Sequence, residues 1–210
     1  MVKVKICGIT NLRDARQALE AGATFIGFNF YKRSPRYITP SAAKRIMQRL
    51  PKRAKAVGVF VNETEEIMLT IARQIGLSHV QLHGDESPET VARLRRTLPV
   101  IKAIRVRKSF STSELARYGN ASAFLLDGFD RRRRGGSGKS FRWNIARCAK
   151  RAGHIFLAGG LTPTNIGEAI RSARPYAVDV CSGVEAKPGK KDPAAVINFI
   201  RAARAAQKTI

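Results

Sequence analysis

The sequence predicts an α/β fold, a parallel (β/α)8 TIM barrel formed by residues 1–210 as a single domain. Three observations carry that expectation. Short strand-like apolar runs alternate strictly with helix-period segments from one end of the chain to the other. The runs number eight, the count that closes a parallel sheet on itself. At 210 residues the chain is long enough for a full core and near the lower end for such a barrel. An open doubly wound sheet is the alternative topology.

The first unit sets the pattern. Val2, Val4 and Ile6 alternate with Lys3, Lys5 and Cys7, the period-two signature of a strand, and Gly8 breaks it. Thr10 or Asn11 can cap a helix over Leu12 to Ala21, whose apolar face carries Leu12, Ala15 and Leu19. Further strands are expected at Phe25 to Phe30, Ala56 to Val61, His79 to Leu82, Val100 to Val106, Ala123 to Leu126, Ile155 to Ala158 and Ala177 to Cys181. Between and after them lie helical segments near Pro40 to Leu50, Glu63 to Ile75, Pro88 to Leu98, Thr112 to Tyr118, Trp143 to Ala152, Pro163 to Ala173 and Pro193 to Ala205. Thr39-Pro40, Ser87-Pro88, Thr162-Pro163 and Asp192-Pro193 each place a capping side chain before a proline suited to the first helical position. The one low-complexity stretch, Asp130 to Lys139, falls after the sixth strand, where barrel enzymes keep active-site loops.

Composition narrows the function classes. No apolar run approaches the roughly 18 residues a membrane span needs, and the amino terminus lacks the apolar centre of a signal peptide, so a cytoplasmic protein is expected. Cys7, Cys148 and Cys181 lie far apart without a CxxC pair, which argues against a disulfide framework or structural zinc. Lysine and arginine total 39 against 15 acids, so the net charge is 39 − 15 = +24. A field of that sign draws anionic metabolites and also nucleic acid or acidic membrane, without specifying which.

Four strand ends carry chemistry-bearing signals, and in a barrel they converge on one mouth: Cys7-Gly8, Asp127-Gly128, Gly159-Gly160 and Asp179 to Gly183. Glycines after the last two strands let backbone amides approach an anion, so Gly160 and Gly183 read as a phosphate cradle, with a tight strand-to-helix turn as the plainer alternative. Cys7 and Asp127 can serve as base and acid, although a lone cysteine is often only a small buried hydrophobe. Lys5 shares parity with Cys7, about 7 Å below it by strand rise. An inward lysine needs a carboxylate, with Asp179 and Asp127 as candidates, and such a lysine would favour the charged forms of both the thiol and the carboxylate.

These residues sit in segments that together resemble phosphoribosylanthranilate isomerases of tryptophan biosynthesis. The segments are KICGIT (Lys5 to Thr10), GFNFYKRSPRYI (Gly27 to Ile38), GVFVN (Gly58 to Asn62), QLHGDE (Gln81 to Glu86), LLDG (Leu125 to Gly128), GGSGKSFRW (Gly135 to Trp143), LAGGLTPTNI (Leu157 to Ile166), DVCSGVE (Asp179 to Glu185) and PGKKD (Pro188 to Asp192). The resemblance implies conversion of N-(5-phosphoribosyl)anthranilate to 1-(2-carboxyphenylamino)-1-deoxyribulose 5-phosphate, an Amadori rearrangement that needs no metal or other cofactor. It also implies that Asp127 is the general acid and Cys7 the general base, that Arg36 grips the anthranilate carboxylate, that Asp179 contacts substrate, and that Gly160 and Gly183 hold its phosphate. His83 matches a family position without a step assigned to it. Cys181, where relatives often carry serine, Phe141-Arg142-Trp143, where they carry FDW, and the run Arg131 to Arg134 depart from the pattern.

Two other readings compete. A related sugar-phosphate isomerase of histidine biosynthesis, or an enzyme of both pathways, resembles a design with two aspartates, which Cys7 opposes. A basic nucleic-acid-binding protein on a barrel scaffold is opposed by charges scattered over most helices without interleaved aromatics, as in Arg13, Lys44, Arg95, Lys150 and Arg201. The expected partner is thus a phosphorylated small molecule. Nucleic acid is expected only as weak, salt-sensitive adhesion, and the chain as a monomer or homodimer.

Overall fold

A computed structural model describes residues 1–107, 110–128 and 143–207. The run Arg131 to Arg134, with Phe141 and Arg142, lies outside the described residues. Eight parallel strands close into a barrel in sequence order: β1 (Lys3–Cys7), β2 (Phe25–Asn29), β3 (Lys55–Phe60), β4 (His79–Leu82), β5 (Val100–Arg105), β6 (Ala123–Asp127), β7 (His154–Ala158) and β8 (Ala177–Val180), with β8 returning to pair with β1. The helices that cover them are α1 (Leu12–Ala21), α2 (Pro40–Met47), α3 (Glu65–Ile75), α4 (Pro88–Arg95), α5 (Ser113–Ala116), α6 (Trp143–Ala149), α7 (Ile166–Ala173) and α8 (Pro193–Gln207). Closure excludes the doubly wound alternative. Among the described residues no helix is long and apolar enough to cross a membrane.

The strands carry two apolar faces because both are covered. Inside the barrel, Phe25, Val57, Ile101, Leu125, Phe156 and Ala177 form one buried cluster. Outside it, Ile6, Ile26, Phe60, Leu126, Leu157 and Val178 pack against the helices in a second, larger one. One residue's change in phase would exchange the faces, so register is tightly specified. Most expected caps are present: the side chains of Asn11, Thr39 and Ser87 accept from amides in the first turns of α1, α2 and α4, and Thr64, which the sequence did not mark, caps α3 in the same way. Asp192 Oδ1 accepts from the amides of Ala194 and Ala195 at the start of α8.

Two local expectations need correction. Thr162-Pro163 does not open α7. Asn165 precedes the helix instead, its Oδ1 accepting from the Thr162 amide at 2.8 Å and its Nδ2 donating to the Gly160 carbonyl at 2.9 Å, so residues 162–165 form a turn. The segment Thr112 to Tyr118 contracts to the single turn of α5: Thr112 makes no side-chain capping bond, and the Tyr118 and Gly119 amides turn back to the Leu115 and Ala116 carbonyls three residues earlier. A hairpin that the apolar pattern did not announce, β9 (Glu185–Lys187) with β10 (Lys190–Lys191), follows β8 at the mouth.

Candidate active site

Strand parity places Lys5 and Cys7 on the inward side of β1 beside Asp179 of β8. Lys5 pairs in register with Asp179, and its Nζ donates to Oδ1 at 3.0 Å, both groups almost wholly buried. Room for the thiol comes from Gly27 on β2, where an added Cβ would stand 2.9 Å from Cys7 Sγ and 3.2 Å from Lys5 Cε. Gly8, with φ +75°, turns the chain out of β1; a Cβ there would meet Cys181 Sγ at 2.9 Å and Arg36 Cδ at 3.0 Å. Glycine is thus required at position 8 by both conformation and close approach.

The charges of this cluster depend on one another. The neighbouring Cys181 thiol, whose Sγ lies 3.8 Å from Glu185 Oε1, holds Cys7 well below the ordinary thiol range against the opposing effect of burial, with Lys5 and Lys191 adding to the shift. Cys181 is held well above the range by its interaction with Cys7 and by burial. Burial disfavours the Lys5 ammonium, but Asp179 and Cys7 outweigh it and raise the group above its usual value. Asp179 is pushed up to about 6, because burial exceeds the pull of Lys5 and negative charge on Cys7 adds to the rise. The expected bias of Lys5 toward a charged carboxylate is therefore present but outweighed by burial.

Arg36 reaches the same mouth from the β2–α2 loop. That loop is shaped by Ser34 Oγ, which accepts from the Arg36 amide and from Asn29 Nδ2, both at 3.1 Å. The guanidinium meets Glu185 through Nε at 3.0 Å and Nη2 at 2.7 Å, while Nη1 makes no hydrogen bond among the described residues. Glu185 also accepts from buried Lys191 at 3.0 Å, and Lys191 Nζ in turn donates to the Cys181 carbonyl at 3.2 Å. Burial would raise Glu185, but Arg36 and Lys191 together hold it below the ordinary carboxylate range. One chain of contacts thus runs from Arg36 through Glu185, Lys191 and Cys181 to Cys7.

Asp127 ends β6, with β7 and β8 between it and β1. His83 Nε2 stands 3.6 Å from its Oδ2, both side chains about a quarter exposed, a separation suited to electrostatic contact rather than a direct hydrogen bond. Buried Gln81 donates through Nε2 to His83 Nδ1 at 2.9 Å, so the neutral ring carries its proton on the nitrogen facing Asp127.

The last two loops interlock. Gly159 and Gly160 have φ of +87° and +65°, and a Cβ on Gly183 would lie 1.9 Å from the Leu161 carbonyl oxygen. The amides of Gly160 and Gly183 donate to no acceptor among the described residues. Unused amides on two adjoining loops at a barrel mouth can accept a phosphate. All seven residues expected at the site lie at strand ends or in the loops that follow them, and Glu185, Lys191 and Gln81 join them there. Lys191 and Glu185 lie in the PGKKD and DVCSGVE segments, but nothing in their spacing reveals that one buried cation bridges the hairpin to Cys181. Among the described residues no group of three or more His, Cys, Asp or Glu converges as metal ligands do.

A family model described as N-(5'phosphoribosyl)anthranilate (PRA) isomerase matches residues 4–202. The chain belongs to this family. It is 53% identical over 207 residues to N-(5'-phosphoribosyl)anthranilate isomerase of Trichlorobacter lovleyi, covering 98% of this chain and 100% of the relative. The protein of the same name from Citrifermentans bemidjiense is 50% identical, with coverage of 97% and 98%. The crystal structure of phosphoribosyl anthranilate isomerase from Thermotoga maritima superposes with a TM-score of 0.90 at 44% identity, covering 98% of this chain and 100% of that one. A further crystal structure of the isomerase, in complex with reduced 1-(o-carboxyphenylamino)-1-deoxyribulose 5-phosphate, superposes with a TM-score of 0.88 at 42% identity and the same coverage.

Proposed function

We propose that this member of the phosphoribosylanthranilate isomerase family performs its Amadori rearrangement, the isomerase step of tryptophan biosynthesis, with Asp127 as general acid and Cys7 as general base. The observation that carries the assignment is the inward thiol of Cys7, held toward its thiolate by Cys181, Lys5 and Lys191, at the same mouth as the Asp127 carboxyl. Asp127 delivers a proton to the furanose ring oxygen; the C1–O bond breaks and the anthranilate nitrogen forms a Schiff base. Cys7 removes the proton on C2, and the electron pair moves toward nitrogen to leave an enolamine, which tautomerises to the 2-ketone. Acid and base on separate strands serve two different atoms of one held substrate.

The remaining groups hold that substrate. Arg36 is steered by Glu185 so that its unused Nη1 edge takes the anthranilate carboxylate. Gly160 and Gly183 receive the phosphate, and Asp179, with Oδ1 on Lys5, leaves its other oxygen for a ribose hydroxyl. His83, oriented by Gln81, acts on Asp127 as a positioning residue. The test is turnover of freshly generated phosphoribosylanthranilate, followed by loss of its fluorescence. The parent should turn over while folded Cys7→Ala and Asp127→Asn lose nearly all activity; either variant retaining parental turnover removes its assigned role.

A further inference from the structure

The net charge of +24 is not distributed evenly once the chain is folded. The segments joining each helix to the next strand all lie at the end of the barrel opposite the active site. They carry Arg49, Lys52, Arg53, Arg96, Arg151 and Arg174, all exposed, and not one Asp or Glu. With the exception of Glu20, every described Asp and Glu lies on a strand at the mouth, in the loop or hairpin beyond it, or in the first turn of a helix. Favourable pairing of cations with helix carboxyl ends explains basic residues in last turns. It does not explain Lys52 and Arg53 beyond the end of α2, or Lys3 and Lys55 on strands.

The amino-terminal opening of the barrel continues this surface. Lys3 bonds to the Tyr176 hydroxyl and lies 4.3 Å from the centre of its ring, and the His154 ring stacks on Tyr176 at 4.0 Å. Burial, with the nearby Lys55 and Lys3 cations adding to it, holds His79 at about 4, so this inward imidazole brings no compensating charge to the opening. No ion pair among the described residues involves any of these cations.

We propose that this amino-terminal face is a docking surface for single-stranded nucleic acid, its cations tracking the phosphate backbone and its stacked His154–Tyr176 pair offering a ring face to a base. A membrane surface fits less well: of the exposed large apolar side chains among the described residues, Ile67 and Ile197 lie in the amino-terminal halves of α3 and α8, toward the opposite end, leaving Met1 as the one such anchor at this face. Docking here leaves the isomerase mouth open.

The test measures anisotropy of a fluorescein-labelled single-stranded oligonucleotide across a salt series. The parent is compared with Lys52→Glu/Arg53→Glu/Arg96→Glu/Arg151→Glu and with Arg13→Glu/Arg16→Glu/Lys44→Glu/Arg201→Glu, a control with the same change of net charge on the exposed sides of α1, α2 and α8. Isomerase turnover, measured in all three, reports the fold. The face variant should lose on the order of a hundredfold in affinity, and its log–log salt slope should fall by about 0.7 per phosphate contact removed. The control should bind much more nearly like the parent. If the reversals at the face prevent folding, the corresponding glutamine substitutions carry the same expectation with a smaller loss. Equal losses in face and control variants, absence of salt-dependent binding by the parent, or tighter binding to phosphatidylserine-containing vesicles than to the oligonucleotide would overturn the proposal.

Discussion

Gly183→Ala isolates the interlock of the two phosphate loops. A Cβ at position 183 would sit 1.9 Å from the Leu161 carbonyl oxygen and 3.0 Å from its carbon, both backbone atoms that no rotamer change can move. Real Cβ atoms stay at least 3.0 Å from such neighbours, so the loops must separate by at least 3.0 − 1.9 = 1.1 Å. Misplacement of about 1 Å in a substrate-positioning site costs on the order of 100-fold in rate, whereas the packing conflict itself costs about 1–3 kcal/mol of stability. Steady-state assays with phosphoribosylanthranilate should therefore show kcat/KM lowered on the order of 100-fold, mainly through KM, with weaker inhibition by inorganic phosphate and a protein still folded by circular dichroism. Gly160→Ala is the informative companion: no atom lies within 4 Å of its added Cβ, so only the φ of +65° opposes it, at about 1–2 kcal/mol. A Gly183→Ala enzyme with parental KM and phosphate inhibition would refute the cradle.

Four further outcomes follow from the same geometry. Lys5→Met removes a cation that lowers the Cys7 pKa, so Cys7 should rise and the acidic limb of the kcat/KM profile should move to higher pH; an unchanged limb refutes the coupling. Cys181→Ser keeps a donor to Cys7 and should retain parental turnover, whereas Cys181→Ala should also shift that limb upward, as pH-rate profiles will show. Arg36→Lys replaces a planar fork held on Glu185 by a point charge and should raise KM by about tenfold to a hundredfold, corresponding to a charged hydrogen bond of about 1.5–3 kcal/mol. Lys102→Met strands the buried Glu86 carboxylate now 2.7 Å from its ammonium, and urea unfolding should show a loss of about 3–5 kcal/mol; a loss below about 1 kcal/mol contradicts the pair's structural weight.

Local pattern announced the barrel itself. The alternation through Val2, Val4 and Ile6, the caps before Pro40 and Pro88, and the strand His79–Leu82 depend on neighbours within a few residues, and all are present. Strand parity also placed Lys5 beside a carboxylate, because inward lysines in a dry interior need one. What local pattern could not announce depends on distant partners. The hairpin of β9 and β10 is rich in lysine and has no apolar alternation; it is secured by Asp14 Oδ2 accepting from the Lys191 amide and by Glu185 meeting Arg36, contacts across more than a hundred residues. Cys181 carries the signal of a substitution but not its consequence, since its interaction with Cys7 exists only after β8 closes against β1. The absence of acidic residues from one face is likewise invisible along the chain, where Arg53 and Glu63 lie only ten positions apart.

The most direct test of the acid–base assignment follows the C2 deuterium of specifically deuterated phosphoribosylanthranilate by NMR in Cys7→Ala, beside binding of the reduced product analogue. The account predicts that the variant binds the analogue as the parent does, yet leaves the C2–D bond intact. Deuterium lost from C2 at the parental rate would show that another group removes that proton.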